Sequence, residues 1–477
     1  MRPLLRPAYS APRTFSARGV ARRLRALCLA VPLTLSALGA CSSSNSGSPL
    51  PSSAGAPAVT GGANGANAGA SARAGAGGAT SAGSGATSAG ASGAGASAGA
   101  SNNAGSSGSS AGGSSGSGAG GSSAGASGSS GTAAGNGGTA SDVDATKLAV
   151  AMGFGTNLGN TLENTTTWET GWGEPLLTQS FIQSLAGHGI KTVRVPVAWD
   201  TYATAGVIDP TKLARVKEVV GWILGAGMYA IVNIHWDGGW IDNESNANKY
   251  KLTDDVKTKF ASYWTQIASG FASVGPQLIF EGLNEEGKFY VSGDTTQAPD
   301  YAALNQLNQL FVSTVRAQGS FNQSRALLIA GFTTDIDLTC VDAFSVPTDP
   351  AGTGKLFLSI HYYTPYTFTG LDTVESWGSP ATTWGSATEK TTLDGLFSKL
   401  AAFSAQKKIP VIIGEFGVTR GQSYVRDPAS RIAWMEAVAK GALSRGMVPV
   451  LWDTGSEIMR SDGSFSSELQ TVMANLK

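Results

Sequence analysis

Eight short apolar runs recur along the last 337 residues of the chain, and few folds can accommodate them. Each run has the length of a β-strand, and its apolar residues are mostly uninterrupted by polar ones. Such runs are typical of parallel strands that are covered on both faces of a sheet. They occupy residues 153–159, 191–197, 228–234, 277–283, 325–331, 355–362, 409–416 and 447–453.

Longer amphipathic segments separate these runs and carry helix signals. One begins with Asp209 and Pro210, an N-cap followed by proline at the first helical position. Eight strand–helix units in about 340 residues predict an α/β fold, the (β/α)8 barrel. A doubly wound sheet is the alternative, but no Gly-rich phosphate loop follows the first run.

Charge is distributed unevenly along the chain. All 33 Asp and Glu residues follow position 140, whereas eight of the 33 Lys and Arg residues precede it. The segment from residue 141 onward therefore carries 25 basic and 33 acidic residues, a formal charge of −8. Phosphate binding needs a basic face, so nucleic acid is not expected as a partner.

The first 41 residues have the pattern of an export signal. Seven Arg residues precede the apolar run "ALCLAVPLTLSALGA", which is too short to span a bilayer as a stable helix. The run ends in "LGAC", which resembles the lipobox of bacterial lipoproteins and makes Cys41 the expected lipidation site. Ser42 then resembles the pattern of outer-membrane sorting. The alternative is ordinary cleavage before Cys41 and free secretion, so the protein is expected to be exported in either case.

Residues 42–140 consist almost entirely of Gly, Ala and Ser, with no aromatic residue and a single charge. Such a segment cannot bury enough apolar surface to offset its ordering entropy, so a disordered linker is expected. A random coil of this length spans roughly 50–60 Å on average. Residues 141–477 form the predicted globular domain, in which Cys340 is the sole cysteine. A monomer is the default expectation.

The active site of a (β/α)8 barrel is built at the carboxyl ends of its strands. Polar or aromatic residues follow most of the runs, although charged residues make up only 14% of the chain. The sequence therefore predicts a functional rim at this end of the barrel. Its candidate residues are Asn157, Asn160, Arg194, His235, Trp236, Asn284, Glu285, His361, Tyr363, Glu415 and Trp452.

Two of these residues, Glu285 and Glu415, are carboxylates that would face each other across the barrel mouth. Paired carboxylates are what glycoside hydrolysis requires: one protonates the leaving oxygen and the other attacks the anomeric carbon. A spacing of about 5–5.5 Å is associated with retention of configuration. Arg194 is the expected partner that would keep one of the two ionised.

A set of motifs in fixed order resembles glycoside hydrolase family 5, the cellulase family. The motifs are "NLGNTLE", "VRVPVAW", "VNIHWDG", "FEGLNEE", "IHYYTPY", "VIIGEFG" and "LWDTG", and they extend from about residue 150 to residue 455. Each motif alone is weak, but each stands at its own strand end. The opening "NLGNTLE…ETGWGEP" is most similar to the branch that contains endo-β-1,4-glucanases and xyloglucanases.

This resemblance implies roles for the rim residues. Glu285 would be the general acid/base and Glu415 the nucleophile, with Arg194 holding Glu415 ionised. Asn284 would bind the substrate 2-hydroxyl, and Trp452 would form the stacking floor for the cleaved sugar. The remaining substrate-positioning candidates are His235, His361, Tyr363, Asn157, Asn160 and Trp240.

Two positions depart from the family pattern. Trp236 replaces the second of two histidines, which predicts an altered subsite. Glu286 replaces the proline after Asn284 and Glu285, and we expect its side chain to face solvent from the loop. Glu281 is expected to be a buried partner of an Arg or His inside the barrel.

The expected function is that of a retaining endo-β-1,4-glucanase acting on cellulose-like, mixed-linkage or xyloglucan chains. No cofactor is implied, and three histidines without matching spacing argue against a metal site. A β-mannanase or another β-glycanase of the same clan remains open, as does a tethered, non-catalytic glycan-binding barrel. Trp240, Trp377 and Trp384 could stack on sugars or pack in loops, and Asp237 could bind substrate or form a turn.

Overall fold

The computed structural model describes residues 143–171, 173–243, 248–291, 293, 295 and 297–477. The predicted export signal, the linker and Cys41 lie outside these residues, so the domain boundaries and the lipidation site stay predictions. Within the described part of the chain, every helix is too short or too polar to cross a bilayer.

Eight parallel strands form a closed barrel, and all eight lie within the predicted apolar runs. Neighbouring strands follow chain order, and the last strand pairs with the first. A small antiparallel hairpin, β3–β4, stands apart from the barrel. The strands are β1 (Gly155–Asn157), β2 (Thr192–Val195), β3 (Ala203–Thr204), β4 (Val207–Ile208), β5 (Tyr229–Asn233), β6 (Leu278–Glu281), β7 (Leu327–Ala330), β8 (Leu356–Tyr362), β9 (Val411–Phe416) and β10 (Val448–Leu451).

Helices cover the outside of the barrel, and their ends follow the capping signals in the sequence. Asp209 caps the helix that begins at Pro210, and Ser386 forms a reciprocal capping box with Glu389. The α-helices are α1 (Ala145–Met152), α2 (Gln179–Gly187), α3 (Pro210–Gly225), α4 (Asp254–Gly270), α5 (Tyr301–Ala317), α6 (Ile336–Thr339), α7 (Tyr366–Thr369), α8 (Ala387–Lys407), α9 (Pro428–Leu443) and α10 (Ser467–Asn475). Four 3-10 turns lie at Trp168–Thr170, Asp200–Tyr202, Ser320–Gln323 and Phe332–Thr334.

Two apolar clusters hold the barrel together. The larger lies between the strands and the surrounding helices. The smaller fills the inside of the barrel and includes Ile231, Ile279 and Ile412. Helix α1 closes the amino-terminal end of the barrel, where its buried Ala149 and Met152 pack against this inner cluster.

The inside of the barrel changes from apolar to polar along the strand direction. Side chains two residues apart on a strand face the same side, so Ile279 and Glu281 both point inward, as do Phe357, Ser359 and His361. Ile279 and Phe357 belong to the inner apolar cluster, whereas Glu281 and Ser359 are hydrogen bonded to each other. The polar layer therefore lies at the carboxyl end of the strands.

Strand β9 contains an irregularity that redirects one side chain. Ile412 points into the barrel and Ile413 points outward, so strict alternation would turn Glu415 outward. The pairing of β8 with β9 shifts between Ile360 and His361, so that His361 lies opposite Glu415. This β-bulge places Gly414 and Glu415 together on the inner side.

Candidate active site

Arg194 is the central residue of the polar layer. Its side chain is fully buried and makes four hydrogen bonds from strand β2. Nε donates to Glu281 Oε2 at 2.6 Å, Nη1 donates to Glu415 Oε1 at 2.8 Å, and Nη2 donates to Asn284 Oδ1 at 2.9 Å. The fourth bond runs from Nη1 to Asn157 Oδ1 at 3.0 Å. Arg194 thus fixes residues from three other strand ends at once.

Glu281 is the buried partner expected from the sequence. It accepts from Arg194 and from Ser359 Oγ, the latter at 2.8 Å, and it is completely shielded from solvent. Burial alone would lower the pKa of Arg194, but the charges of Glu281 and Glu415 raise it above its ordinary value. The guanidinium is therefore a permanent cation inside the barrel.

Glu415 lies between this cation and two further groups. Tyr363 donates its hydroxyl to Glu415 Oε2 at 3.0 Å, and His361 Nδ1 lies 3.6 Å from the same oxygen. Burial raises the pKa of Glu415, while the charges of His361 and Arg194 oppose the rise. Burial and the two catalytic-site carboxylates also raise the pKa of Tyr363 well above 10, so the phenol remains a donor.

Glu285 is the more exposed of the two rim carboxylates. Its Oε1 lies 2.9 Å from His361 Nδ1, and its side chain is 18% exposed against 6% for Glu415. One oxygen of Glu285 and one of Glu415 lie within 4.8 Å of each other and of His361 Nδ1. Arg194, which also pairs with Glu281, supplies positive charge to Glu415 in this grouping.

A second side of the site is formed by His235 and Trp452. Their rings are stacked, with centroids 5.7 Å apart and an angle of 5° between the planes. His235 Nδ1 lies 3.2 Å from Asn233 Nδ2, and burial lowers the pKa of His235 well below 6.5 with the Arg194 charge acting in the same direction. His235 is therefore neutral and can accept from the Asn233 amide.

Three predicted substrate-binding residues take other positions. Asn157 is completely buried, and its Nδ2 donates to the Gly414 carbonyl at 3.0 Å, so it supports Arg194 and strand β9 from within. Asn160 is half-buried and lies three residues after the end of β1, in a turn where its φ is 62°. Trp240 is half-buried against helix α4, where its ring meets Tyr263 edge-on at 5.8 Å. Asn157 and Trp240 thus use their side chains within the protein.

The expectation that Glu286 faces solvent is wrong. Its side chain is only 3% exposed, and Oε2 accepts the backbone N–H of Asn284 at 3.2 Å. Gly287 adopts a φ of +91°, which turns the chain immediately after Glu286. Trp236, the other departure from the family pattern, is 40% exposed.

The remaining aromatic and acidic candidates separate clearly. Trp377 is 47% exposed and its ring centroid lies 6.3 Å from that of Tyr366, whereas Trp384 is buried. Asp237 supports the loop after β2, because its carboxylate accepts the backbone N–H groups of Trp199 and Thr201 at 2.7 and 2.9 Å.

Two contributors to the site were not identified from the sequence. Ser359 lies two residues before His361 on β8, so alternation alone could have placed it beside Glu281. Gly414 could not have been found in this way, because its role depends on the β-bulge. A Cβ at Gly414 would lie 3.1 Å from His361 Nε2 and 3.2 Å from Ser359 Oγ.

The family model of cellulases, glycosyl hydrolase family 5, matches residues 151–457 of the chain. This protein is a member of glycosyl hydrolase family 5. Within the family, the chain is 33% identical over 343 residues to endoglucanase A of Paenibacillus barcinonensis, covering 65% of this chain and 82% of that protein. It is 32% identical over 339 residues to the xyloglucan-specific endo-β-1,4-glucanase of Bacteroides ovatus, covering 66% of each.

Solved structures of family 5 enzymes resemble the described barrel. A broad-specificity subfamily 4 endoglucanase from an uncultured bovine rumen ciliate has a TM-score of 0.61 and 32% identity, covering 70% of this chain and 98% of that one. The Bacteroides ovatus family 5 xyloglucanase in complex with a XXXG heptasaccharide has a TM-score of 0.62 and 30% identity, covering 70% of this chain and 77% of that one.

Proposed function

We propose that this family 5 member is an endo-β-1,4-glucanase that hydrolyses β-1,4-linked glucans, including xyloglucan, with retention of configuration. The observation that carries the proposal is the carboxylate pair: one oxygen each of Glu285 and Glu415 lie within 4.8 Å, in different surroundings. A short separation supports direct attack by a carboxylate, because an inverting enzyme needs room for a water between the two groups.

In the first step of the proposed mechanism, Glu415 attacks the anomeric carbon. The bond from that carbon to the leaving oxygen breaks, and Glu285 gives its proton to that oxygen. Arg194 and Tyr363 hold the two oxygens of Glu415 at 2.8 and 3.0 Å, which fixes the direction of attack. The product of this step is a covalent glycosyl-enzyme.

In the second step, Glu285 acts as a base. It takes a proton from water as the water oxygen attacks the anomeric carbon, and Glu415 leaves as a carboxylate. Arg194 then stabilises the restored negative charge of Glu415. His361 Nδ1 lies near both carboxylates, at 2.9 Å from Glu285 and 3.6 Å from Glu415, and is suited to keep Glu285 aligned in both steps.

The sugar that is cleaved would lie over Trp452, whose ring is backed by His235. Planar aromatic rings present an apolar face to the apolar face of a glucose unit. Arg194 donates to the side-chain oxygen Oδ1 of Asn284 and thereby leaves the side-chain nitrogen Nδ2 of Asn284 as a donor for the sugar 2-hydroxyl. We also propose that the enzyme acts outside the cytoplasm, on the basis of the export signal and the "LGAC" motif.

The test is a comparison of the full chain with its Glu415→Ala variant on carboxymethylcellulose, barley β-glucan, xyloglucan and mannan. Reducing-end release from the glucans, with a loss of about 10⁴-fold or more in the variant, is expected for removal of a nucleophile. Glu218→Ala, which removes an exposed carboxylate on α3, is the matched control and should retain activity. Preferential cleavage of mannan would replace the proposed substrate, and a fully active Glu415→Ala variant would refute the assignment of the nucleophile.

A further inference from the structure

Glu286 is the charged residue closest in sequence to the proposed acid, yet it is more buried than the acid itself. It is 3% exposed, whereas the side chain of Glu285 is 18% exposed. The next residue, Gly287, has a φ of +91°, and a Cβ at that position would meet Leu304 at 3.2 Å and Leu283 at 3.3 Å. The chain therefore turns tightly directly after Glu286.

Glu286 makes a polar contact with the backbone that carries the acid. Its Oε2 accepts the N–H of Asn284, the residue immediately before Glu285, at 3.2 Å. The side chain of Asn284 is held independently by Arg194 Nη2 at 2.9 Å. Loss of the Glu286 contact would therefore free the backbone of Asn284, which precedes Glu285. The side chain of Asn284 would stay bound to Arg194.

The charges around Glu286 are mostly of its own sign. Asp242, from the loop after β5, is 1% exposed, and Glu285 adds a second carboxylate. Lys288 is the described cation that faces this group, with Nζ 3.9 Å from Asp242 Oδ2. Burial raises the pKa of Glu286 well above 4.5, and Asp242 and Glu285 raise it further, against the opposing effects of its own backbone N–H and Lys288.

We infer that Glu286 is a positioning residue: its buried carboxyl group holds the N–H of Asn284 so that the following Glu285 is aimed at the leaving oxygen. Buried beside Asp242 and Glu285, this carboxyl group holds the N–H in its protonated form. This inference rests on the proposed function of Glu285. It gives a role to the position where the family pattern has proline, because proline fixes the backbone through its ring, whereas Glu286 and Gly287 fix it through a side-chain hydrogen bond.

The kinetic test compares E286A and E286Q with the wild-type full chain on two substrates. Barley β-glucan needs a protonated leaving group, whereas 2,4-dinitrophenyl cellobioside releases a phenolate that needs little help from an acid. E286A should lose about tenfold or more in kcat/KM on the glucan, which reports the step that protonates the leaving group, and a loss of this size is in the range that small misplacements of a catalytic group cause. Its loss on the dinitrophenyl substrate should be several-fold smaller.

E286Q keeps a carbonyl oxygen for the Asn284 N–H and cannot ionise. It should therefore restore most of the glucan activity that E286A loses. Equal losses on both substrates would overturn the inference, because a purely structural defect lowers the amount of working enzyme irrespective of the leaving group. An E286Q variant as impaired as E286A would also overturn it.

The second readout is thermal stability as a function of pH, which needs no activity. A carboxyl group whose pKa is raised by folding binds protons more tightly in the folded state, so stability falls as pH rises above the unfolded value of about 4.5. The Tm of the wild type should therefore fall relative to that of E286Q as the pH rises above about 4.5. Parallel curves would refute the protonated state of Glu286, whatever the enzyme cleaves. If the curves diverge but the wild type cleaves no β-glucan, the proposed function fails and the protonated Glu286 stands.

Discussion

Arg194 Nη1 lies 2.8 Å from Glu415 Oε1, and this contact joins strand β2 to strand β9 across the inside of the barrel. The same guanidinium contacts Glu281 of β6 at 2.6 Å. The proposed nucleophile is therefore aligned by a cation whose own position is set by a second carboxylate. The two acidic residues have different tasks because only Glu415 reaches the end of the barrel where a sugar can enter.

Removing the charge of Glu281 should destabilise the domain. Glu281→Gln leaves Arg194 paired with Glu415 but weakens a hydrogen bond between two charged groups, which is worth about 1.5–3 kcal/mol of unfolding free energy. Equilibrium denaturant unfolding measures the loss. Glu218→Gln removes a carboxylate whose side chain is 51% exposed and should change the free energy by about 0.5 kcal/mol or less. A Glu281→Gln variant as stable as this control would show that Arg194 does not depend on Glu281.

Removing the proposed acid should affect substrates according to their leaving groups. Glu285→Ala should lose about 10²–10⁴-fold in kcat/KM on β-glucan, the range that general acid–base catalysis supplies, and much less in kcat/KM on 2,4-dinitrophenyl cellobioside, whose leaving group needs little protonation. Azide should restore turnover on the activated substrate and give a glycosyl azide with the configuration of the substrate. With Glu415→Ala, azide should give the opposite configuration, so identical products from both variants would contradict the assigned roles.

The β-bulge leaves little room for a side chain at Gly414. Gly414→Ala places a carbon 3.1 Å from His361 Nε2 and 3.2 Å from Ser359 Oγ, so these side chains must shift by a few tenths of an ångström, which disturbs the contact of His361 with Glu285. We expect a loss of about tenfold or more in kcat on β-glucan. Gly395→Ala is the control: it lies inside α8 with open space around it, and alanine there should raise stability by about 0.5–1 kcal/mol. Unchanged kinetics in Gly414→Ala would mean that His361 does not position Glu285.

Trp377 should contribute to binding of the sugar units on the leaving-group side. Trp377 lies next to Tyr366, and its side chain is 47% exposed. Burial raises the pKa of Tyr366 and the charge of Glu285 raises it further, which places this pair of rings near the proposed acid. Trp377→Ala should raise KM for long glucans by roughly three- to tenfold, the equivalent of about 0.5–1.5 kcal/mol for an aromatic contact. The KM for an aryl cellobioside, which has no sugar on that side, should stay the same. Equal increases for both substrates would assign Trp377 to the other side of the cleft.

The predicted lipid anchor can be tested by cell fractionation. Cys41→Ser should move the protein from the membrane fraction to the soluble fraction, because the acyl chains that would hold it there are absent. Cys28→Ser, in the same export segment, is the matched control and should leave the distribution unchanged. An unaltered membrane fraction of Cys41→Ser would favour attachment by other means.

The sequence predicts the barrel well because the apolar strand pattern and the helix-capping residues are both local features. Each apolar run is long enough to be recognised alone, and each helix begins or ends at a recognisable residue. Glu281 was correctly placed as a buried partner because it lies four residues before Glu285. Glu286 was misplaced because it lies beyond the regular part of β6, where strand alternation no longer predicts the direction of a side chain. The inward turn of Glu415 depends on a register shift between β8 and β9, which arises only when the two strands pair.

Helix α1 has a further consequence for how the enzyme meets a polymer. Its residues Ala149 and Met152 close the amino-terminal end of the barrel, whereas Glu285 and Glu415 open at the carboxyl end. The first described residues of the chain therefore lie at the end of the barrel opposite the cleft. If the enzyme is attached to a surface through the residues before Val143, the point of attachment does not block the cleft. The cleft would then remain open to a glucan that is too large to diffuse.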